Sequence, residues 1–191
     1  MCPRNLFLYS DMKIPFRIKI LLLYYRFLYK KSHSDPLVRI GESGKGVQSI
    51  LFFLPSERNF AQVISHFIKR NNNNASLRFK YVVHQESLMH YQDISGPDTV
   101  TYTDNDINWF GVIKSKLVID RIGNEGFDAL VDLNQSYDQS LSLLSFQLRI
   151  PIKVGFQSPI SNQLYSIVVQ SEKGSFLESN YQIIEKILGI S

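Results

Sequence analysis

The residues with the clearest capacity for chemistry follow a mostly apolar run in the second half of the chain. Residues 127–133 read FDALVDL, which is typical of a strand buried on both faces of a parallel sheet. Asp132 lies near the end of this run, and Asn134 and Gln135 follow it. Open α/β sheets bind ligands beyond the carboxyl ends of their strands. Asp132 is therefore a candidate to orient a ligand hydroxyl or to cap the next helix, and both interpretations stay open.

Polar residues also follow two other predicted strands. Ser56, Glu57 and Arg58 come directly after the apolar run 48–54, and His84 ends the alternating segment 77–84. Because parallel strands end at one common edge of a sheet, we expect these side chains to share a ligand site with Asp132. Arg58 is a cation available there for an anionic ligand.

Several familiar kinds of site are excluded by spacing. The segment 41–46 reads GESGKG, but Arg39 occupies the first glycine position of a phosphate-binding loop and Gly46 replaces its metal-binding hydroxyl. That segment also precedes a strand instead of joining a strand to a helix. The four histidines lack metal-ligand spacing, and no nucleophile elbow or dinucleotide fingerprint occurs. The sequence therefore predicts neither a metal nor a cofactor.

Apolar runs and helical periodicities alternate along the chain, which predicts an α/β fold. Specifically, we expect a Rossmann-like, doubly wound, mostly parallel sheet preceded by an extra N-terminal helix. The predicted strands cover 48–54, 77–84, 99–103, 127–133, 152–156 and 164–169. The predicted helices cover 57–70, 85–92, 112–122, 137–148 and 176–188.

Positive charge is concentrated at the start of the chain. Residues 1–47 contain nine Lys or Arg and three Asp or Glu, whereas residues 48–191 contain twelve and fourteen. We therefore divide the chain into a basic N-terminal helix and linker, 1–47, and a domain, 48–191, with the linker at 35–46. A basic arm on a mildly acidic domain predicts no nucleic acid partner, and instead an anionic membrane surface or a partner protein.

The arm itself is predicted to form a helix within residues 12–31. Arg17, Lys19 and Arg26 interrupt its apolar stretch, which is too short and too charged to span a bilayer. An amphipathic helix lying on a membrane surface is one interpretation; packing on its own domain or docking a partner is the other. The single cysteine, Cys2, excludes an internal disulfide and fits a reducing, cytoplasmic compartment.

Several motifs together resemble glycosyltransferase family 9, the ADP-heptose:lipopolysaccharide heptosyltransferase-like proteins. They are SILFFLPS at 49–56, FDALVDLN at 127–134, SLSLLS at 140–145 and IKVGF at 152–156. The resemblance covers about residues 48 to 190. DINWFG at 106–111, followed by KSK at 114–116, is more similar to short uncharacterised bacterial proteins related to that family.

The resemblance implies the N-terminal half of a GT-B architecture. Gly155 and Phe156 of the VGF motif are further candidate ligand residues, and Lys153, like Arg58, is a cation available for an anionic ligand. The resemblance also implies a carboxylate base in the first loop, but Asn59 and Phe60 occupy the expected Gly-Asp positions. Glu57 is the nearby carboxylate and the weak substitute. We further expect the nucleotide-binding half to be lacking, since the sequence ends where it would begin.

Three functional hypotheses follow. The first is a non-catalytic heptosyltransferase-like domain of lipopolysaccharide biosynthesis that binds a partner or a cell-envelope glycolipid precursor. The second is an active glycosyltransferase subunit completed by a separate nucleotide-sugar-binding domain, so whether the chain is an enzyme stays open. The third is a homodimerisation or interaction module, because an unpaired GT-B half exposes apolar surface. We expect a cytoplasmic protein, peripheral to the inner membrane if the basic arm binds lipid.

Overall fold

A computed structural model describes residues 15–29, 47–71, 77–91, 94, 96–123, 126–170 and 177–189. The predicted linker 35–46, the glycine-rich segment 41–46 and Cys2 lie outside these residues. The division of the chain at residues 47 and 48 therefore remains a prediction.

One six-stranded sheet organises the domain, in the order β3-β2-β1-β4-β5-β6. All five neighbouring pairs are parallel, which confirms the predicted Rossmann-like α/β class. This is the strand order of dinucleotide-binding Rossmann folds. The strands are β1 Ser49–Phe53, β2 Arg78–His84, β3 Thr99–Tyr102, β4 Ala129–Asp132, β5 Ile152–Phe156 and β6 Ile167–Val169.

Helices connect and cover the strands. They are α1 Phe16–Tyr29, α2 Arg58–Asn71, α3 Lys116–Gly123, α4 Gln139–Gln147, α5 Ser161–Leu164 and α6 Leu177–Leu188. A 3-10 turn, Gln85–His90, takes the place of the short helix predicted at 85–92. The extra N-terminal helix of the prediction is α1.

Two predicted elements have different limits in the structure. The helix predicted over 112–122 begins only at Lys116, because Ile113 instead forms an antiparallel bridge with Ile107. The strand predicted over 164–169 is confined to β6, because residues 161–164 form one helical turn. In both places apolar side chains are buried in loop or turn conformations that hydrophobic spacing does not distinguish from a regular element.

The side chains of the central strand β1 are buried on both faces of the sheet. All five of its residues are buried, as expected for a parallel strand between helical layers. Ile50 and Phe52 pack in one core with residues of α2 and α6, whereas Leu51 and Phe53 pack in the other with residues of α3 and α4.

Helix α1 packs on the same domain through one narrow face. Ile18 and Leu22 are buried, at 1% and 5% exposure. They join a third apolar cluster that includes Leu143 of α4, Leu164 of α5 and Tyr165. The interpretation in which this helix packs on its own domain is therefore confirmed for this face.

A carboxylate ties the first and fourth strands together at the amino edge of the sheet. Asp128 Oδ2 accepts hydrogen bonds from the backbone N–H groups of Gln48 (2.9 Å) and Ser49 (2.8 Å) and from Ser49 Oγ (2.9 Å). Partial burial alone would raise the pKa of Asp128, but these hydrogen bonds outweigh it and lower the pKa. Asp128 directly precedes β4 and thus lies at the edge of the sheet opposite the carboxyl ends of the strands.

Replacing Asp128 with alanine is expected to destabilise the fold by about 1 kcal/mol at pH 7, because two backbone donors lose their acceptor. The lowered folded-state pKa means that this contribution is present above the unfolded value near 4 and is lost as pH falls through the folded value. Urea unfolding at pH 7 and pH 3 measures both effects. Asp120→Ala, at an exposed position of α3, is the matched control; equal stabilities for the two variants at pH 7 would contradict the assignment.

Candidate functional site

The topological switch point of the sheet lies between β1 and β4. The chain leaves β1 towards β2 on one side, while β4 continues the sheet on the other side. Doubly wound folds bind ligands in the crevice that opens here, beyond the carboxyl ends of the strands. Ser136, after β4, donates a hydrogen bond to Glu57 Oε1, after β1, at 2.8 Å. This contact joins the two loops across the crevice.

Asp132 is the buried polar centre of this edge. Its side chain is 2% exposed, and Oδ1 accepts hydrogen bonds from the backbone N–H (3.0 Å) and Nδ2 (2.7 Å) of Asn134. Oδ2 accepts from the Tyr165 hydroxyl at 2.5 Å. Burial raises the pKa of Asp132 to about 6, although these hydrogen bonds act in the opposite direction.

The helix-capping interpretation of Asp132 is wrong. The N-cap of α4 is Asp138, whose Oδ1 accepts a hydrogen bond from the backbone N–H of Leu141 at 3.0 Å. Burial raises the pKa of Asp138, and the backbone N–H groups that it caps oppose that rise. Two carboxylates therefore share the edge, one held within the strand end and one at the start of the next helix.

Gly155 makes room for the tyrosine that holds Asp132. A Cβ atom built on Gly155 would lie 2.5 Å from Cε2 of Tyr165, well inside van der Waals contact. The aromatic ring thus lies directly on the backbone of β5. In this position Gly155 supports Tyr165, a role distinct from the direct ligand contact that the sequence predicts for it.

A second polar group lies on the other side of the switch point, around the end of β2. The His84 ring packs edge-on against Tyr102, with ring centroids 5.2 Å apart, and its Nε2 lies 3.4 Å from Asp104 Oδ1. Burial raises the pKa of the Tyr102 hydroxyl, and the nearby Ser56 side chain opposes that rise. The predicted residues Ser56 and His84 are thereby brought together, through an intermediate tyrosine.

A small polar cavity opens beside Asp132. Its lining comes from the ends of β4 and β5, the start of α4, and Tyr165, and its volume is about 10 Å³. That is close to the space required by one water molecule or one ligand hydroxyl. Within the described part of the chain, the buried Tyr137 hydroxyl and Ser158 Oγ have no hydrogen-bond partner. Burial raises the pKa of Tyr137 to about 12, so this hydroxyl keeps its proton at neutral pH.

The remaining predicted site residues have separate positions. Gln135 lines the cavity beside the Tyr181 hydroxyl of α6, while Arg58 is exposed at the start of α2. Lys153 does not face the edge: its Nζ donates to the carbonyl of Ser145 in α4, and burial lowers its pKa to about 8.

Several residues that shape this edge escaped the sequence analysis. They are Tyr102, Ser136, Tyr137, Asp138, Ser158 and Tyr165. Asp138 carried a usable signal, since an acidic residue directly before a helical periodicity is a common N-cap. No local sequence signal marked Tyr165, because only the tertiary fold brings it to Asp132, 33 positions away.

The described ranges lack two features, a metal-ligand cluster and a membrane-spanning helix. Those ranges contain no group of three or more His, Cys, Asp or Glu side chains placed to hold a metal ion. None of the helices in the same ranges has the length and apolar character needed to cross a bilayer.

Comparison with known proteins places the chain in a family. The model described as "Family of unknown function (DUF6913)" matches residues 24–190. The chain belongs to this family. None of the curated proteins matches its sequence.

Solved structures of a heptosyltransferase share the fold. E. coli heptosyltransferase WaaC with ADP matches at a TM-score of 0.55 and 13% identity, over 75% of this chain and 48% of that chain. WaaC with ADP-2-deoxy-2-fluoro heptose matches at 0.53 and 12%, over 75% of this chain and 49% of that chain. This chain thus spans about half the length of the heptosyltransferase chains. At this identity the predicted resemblance to glycosyltransferase family 9 is confirmed for the fold alone.

Asp132→Asn is expected to remove a pH dependence of stability. The folded pKa of about 6 exceeds the unfolded value of about 4, so this carboxyl stabilises the fold most below pH 4 and loses that contribution as pH rises through 6. The free energy of unfolding of the variant, relative to the parent, should therefore rise by roughly 2 kcal/mol between pH 4 and 7.5. Urea denaturation across this range measures it. A difference that stays constant with pH would contradict the buried, ionisable assignment.

Gly155→Ala is expected to lower the free energy of unfolding by about 1–3 kcal/mol, because the new methyl group overlaps the Tyr165 ring. Gly126→Ala is the matched control, since a Cβ there meets no atom within 4 Å. Thermal denaturation compares the two. If both variants melt alike, Tyr165 is not packed on β5 as described.

Proposed function

We propose that this chain is a glycosyltransferase-like domain that binds a saccharide at the carboxyl edge of its sheet without transferring it. The ligand class is the hydroxyl-rich sugar portion of a cell-envelope glycolipid precursor of lipopolysaccharide biosynthesis. The polar cavity beside the switch point carries this proposal, together with the fold shared with a heptosyltransferase.

The cavity suits a sugar hydroxyl because it contains unused hydrogen-bonding capacity. A buried polar atom without a partner costs roughly 1–3 kcal/mol, and both Tyr137 and Ser158 present such an atom. A ligand hydroxyl both donates and accepts, so one hydroxyl satisfies two neighbours at once. The small volume admits one such group at a time, with the rest of the sugar lying outside over the crevice.

Binding without transfer is supported by the positions of the carboxylates. A general base must reach the proton that it removes, directly or through one water. Asp132 is buried under Tyr165 and Asn134, and Asp138 caps α4. Glu57 is exposed, but its Oε1 already accepts a hydrogen bond from Ser136. Asp132 and Asp138 are thus engaged within the fold, whereas Glu57 is engaged through one of its two carboxylate oxygens.

An active transferase subunit is the alternative, and the exposure of Glu57 at the switch point favours it. Only its Oε1 accepts a hydrogen bond from Ser136, and a carboxylate keeps further acceptor capacity with which to act as a base. In that case a separate nucleotide-sugar-binding domain would supply the donor. The solved heptosyltransferase complexes contain ADP and an ADP-sugar, so these compounds are suitable probes for the alternative.

Titration of the ¹⁵N-labelled chain with a soluble lipopolysaccharide core oligosaccharide tests the proposal. We expect amide shifts confined to residues 132–137 and 156–158, and none with ADP or ADP-2-deoxy-2-fluoro heptose. Shifts at this edge with the ADP-sugar would favour the transferase alternative. If neither compound perturbs the edge, saccharide binding is refuted.

Tyr137→Phe and Ser158→Ala are each expected to weaken oligosaccharide binding roughly threefold to tenfold, the effect of losing one hydrogen bond to a neutral ligand. Tyr24→Phe, on the exposed surface of α1, removes the same phenolic group elsewhere and should leave affinity unchanged. Isothermal titration calorimetry compares the three. Equal affinities would show that the cavity hydroxyls do not contact the sugar.

A further inference from the structure

Helix α1 has an apolar outer surface as well as the inner face that packs on the domain. Phe16, Ile20, Leu23 and Tyr24 are large hydrophobic residues with exposures of 77%, 53%, 65% and 57%. Their spacing of four, three and one places them on one stripe of the helix. This stripe points away from the domain, because Ile18 and Leu22 occupy the buried side.

Basic residues border this stripe. At 3.6 residues per turn, Arg17 and Lys19 fall on opposite flanks of it, and both are exposed. Residues 16–29 contain no acidic residue. An apolar surface bordered by basic residues binds an anionic bilayer through buried apolar area together with electrostatic attraction.

The loop between β3 and α3 extends the same surface. Trp109 and Phe110 are 76% and 40% exposed and pack edge-on, with ring centroids 4.9 Å apart. The loop is held from both sides: Asn108 Oδ1 accepts hydrogen bonds from the N–H groups of Phe110 (2.9 Å) and Val112 (3.1 Å), and Gln139 Nε2 donates to the Phe110 carbonyl at 2.7 Å. The fold thus fixes two aromatic rings in an exposed position.

A contact between cation and ring joins the helix to the loop. The Arg17 guanidinium lies over the Trp109 ring, 6.0 Å from its centroid, which is at the limit of an effective cation–π interaction. The two exposed segments therefore form one surface. We call it the aromatic ledge and define it as Phe16, Ile20, Leu23, Tyr24, Trp109 and Phe110.

We propose that the aromatic ledge docks on the surface of an anionic phospholipid bilayer. Aromatic and aliphatic side chains enter the headgroup region, where Trp is favoured, while Arg17 and Lys19 pair with lipid phosphates. A second copy of the chain is a poorer occupant. A twofold interface brings the same patch against itself, so the positive borders of the two copies would face each other.

This inference does not depend on saccharide binding, but it places the candidate site relative to the membrane. The inner face of α1 shares an apolar cluster with Tyr165, and Tyr137 borders the same cluster. Docking through the outer face would therefore hold the carboxyl edge of the sheet close to the headgroups. That is where the sugar of a glycolipid is presented.

The experiment uses Trp109, the single tryptophan of the sequence, as its own probe. The full chain is mixed with vesicles of phosphatidylcholine alone or with added phosphatidylglycerol, neither of which contains a sugar acceptor. We expect a blue shift of Trp109 emission with the anionic vesicles, quenching by lipids brominated near the headgroup, and weakening in high salt. No shift with anionic vesicles would overturn the proposal.

Two sets of variants test the apolar stripe of the ledge and the basic residues that border it. Leu23→Glu should weaken vesicle binding roughly tenfold or more, since it puts a charge into the apolar stripe. Arg17→Gln with Lys19→Gln should reduce the preference for anionic lipid by roughly fivefold for each charge removed. Far-UV circular dichroism confirms that each variant is folded.

Ile183→Glu is the matched control, because Ile183 is 43% exposed on α6, in the layer that covers the other face of the sheet. It should bind vesicles like the parent chain. Equal losses for Leu23→Glu and Ile183→Glu would overturn the proposal by showing a non-specific charge effect. A concentration-dependent blue shift without vesicles, with dimers in analytical ultracentrifugation, would assign the ledge to self-association and overturn it as well.

Discussion

The buried hydrogen bond between Tyr165 and Asp132 links the parts of this molecule that matter for function. Asp132 ends the strand beside the switch point, and Tyr165 follows α5 and packs on the backbone of Gly155. Tyr165 also belongs to the apolar cluster that receives α1. One interaction thus holds the edge of the sheet, shapes the polar cavity and supports the helix that carries the aromatic ledge. A buried carboxylate of this kind is retained only with good hydrogen-bond partners, because removing it from water is costly.

How far the sequence could predict the fold depends on the type of signal. Runs such as residues 48–54 and 127–133 are continuous and apolar, and parallel strands buried on both faces leave such runs. The positions of Ser56, Glu57, His84 and Asp132 at strand ends followed from that prediction, because parallel strands share a carboxyl edge. Helix limits were less predictable. The spacing of Val112 and Ile113 predicts a helix, yet both residues lie in a loop before α3. Val112 N–H donates to Asn108 Oδ1, and Ile113 forms a bridge with Ile107.

The finer structure of the edge could not be predicted, for a physical reason. The contacts of Asp132 with Tyr165 and of Glu57 with Ser136 span 33 and 79 positions, so no local pattern encodes them. The sequence left open whether Asp132 orients a ligand or caps α4. The cap is Asp138, which directly precedes the first residue of the helix. The fold shared with a heptosyltransferase thus coexists with an edge whose carboxylates have structural partners. Arg58 and Glu57 are the exposed charged residues beside this edge.

The account depends on Asp132 being a buried carboxyl held by Tyr165 rather than a solvent-exposed base. Carboxyl-detected ¹³C NMR of the full chain measures this directly, with the Asp132 resonance assigned by its loss in Asp132→Asn. The account predicts a titration midpoint of about 6, shifted further upward in Tyr165→Phe because that variant loses a hydrogen bond to the charged form. A midpoint near 4, the ordinary value for an exposed aspartate, or no response to Tyr165→Phe, would contradict it.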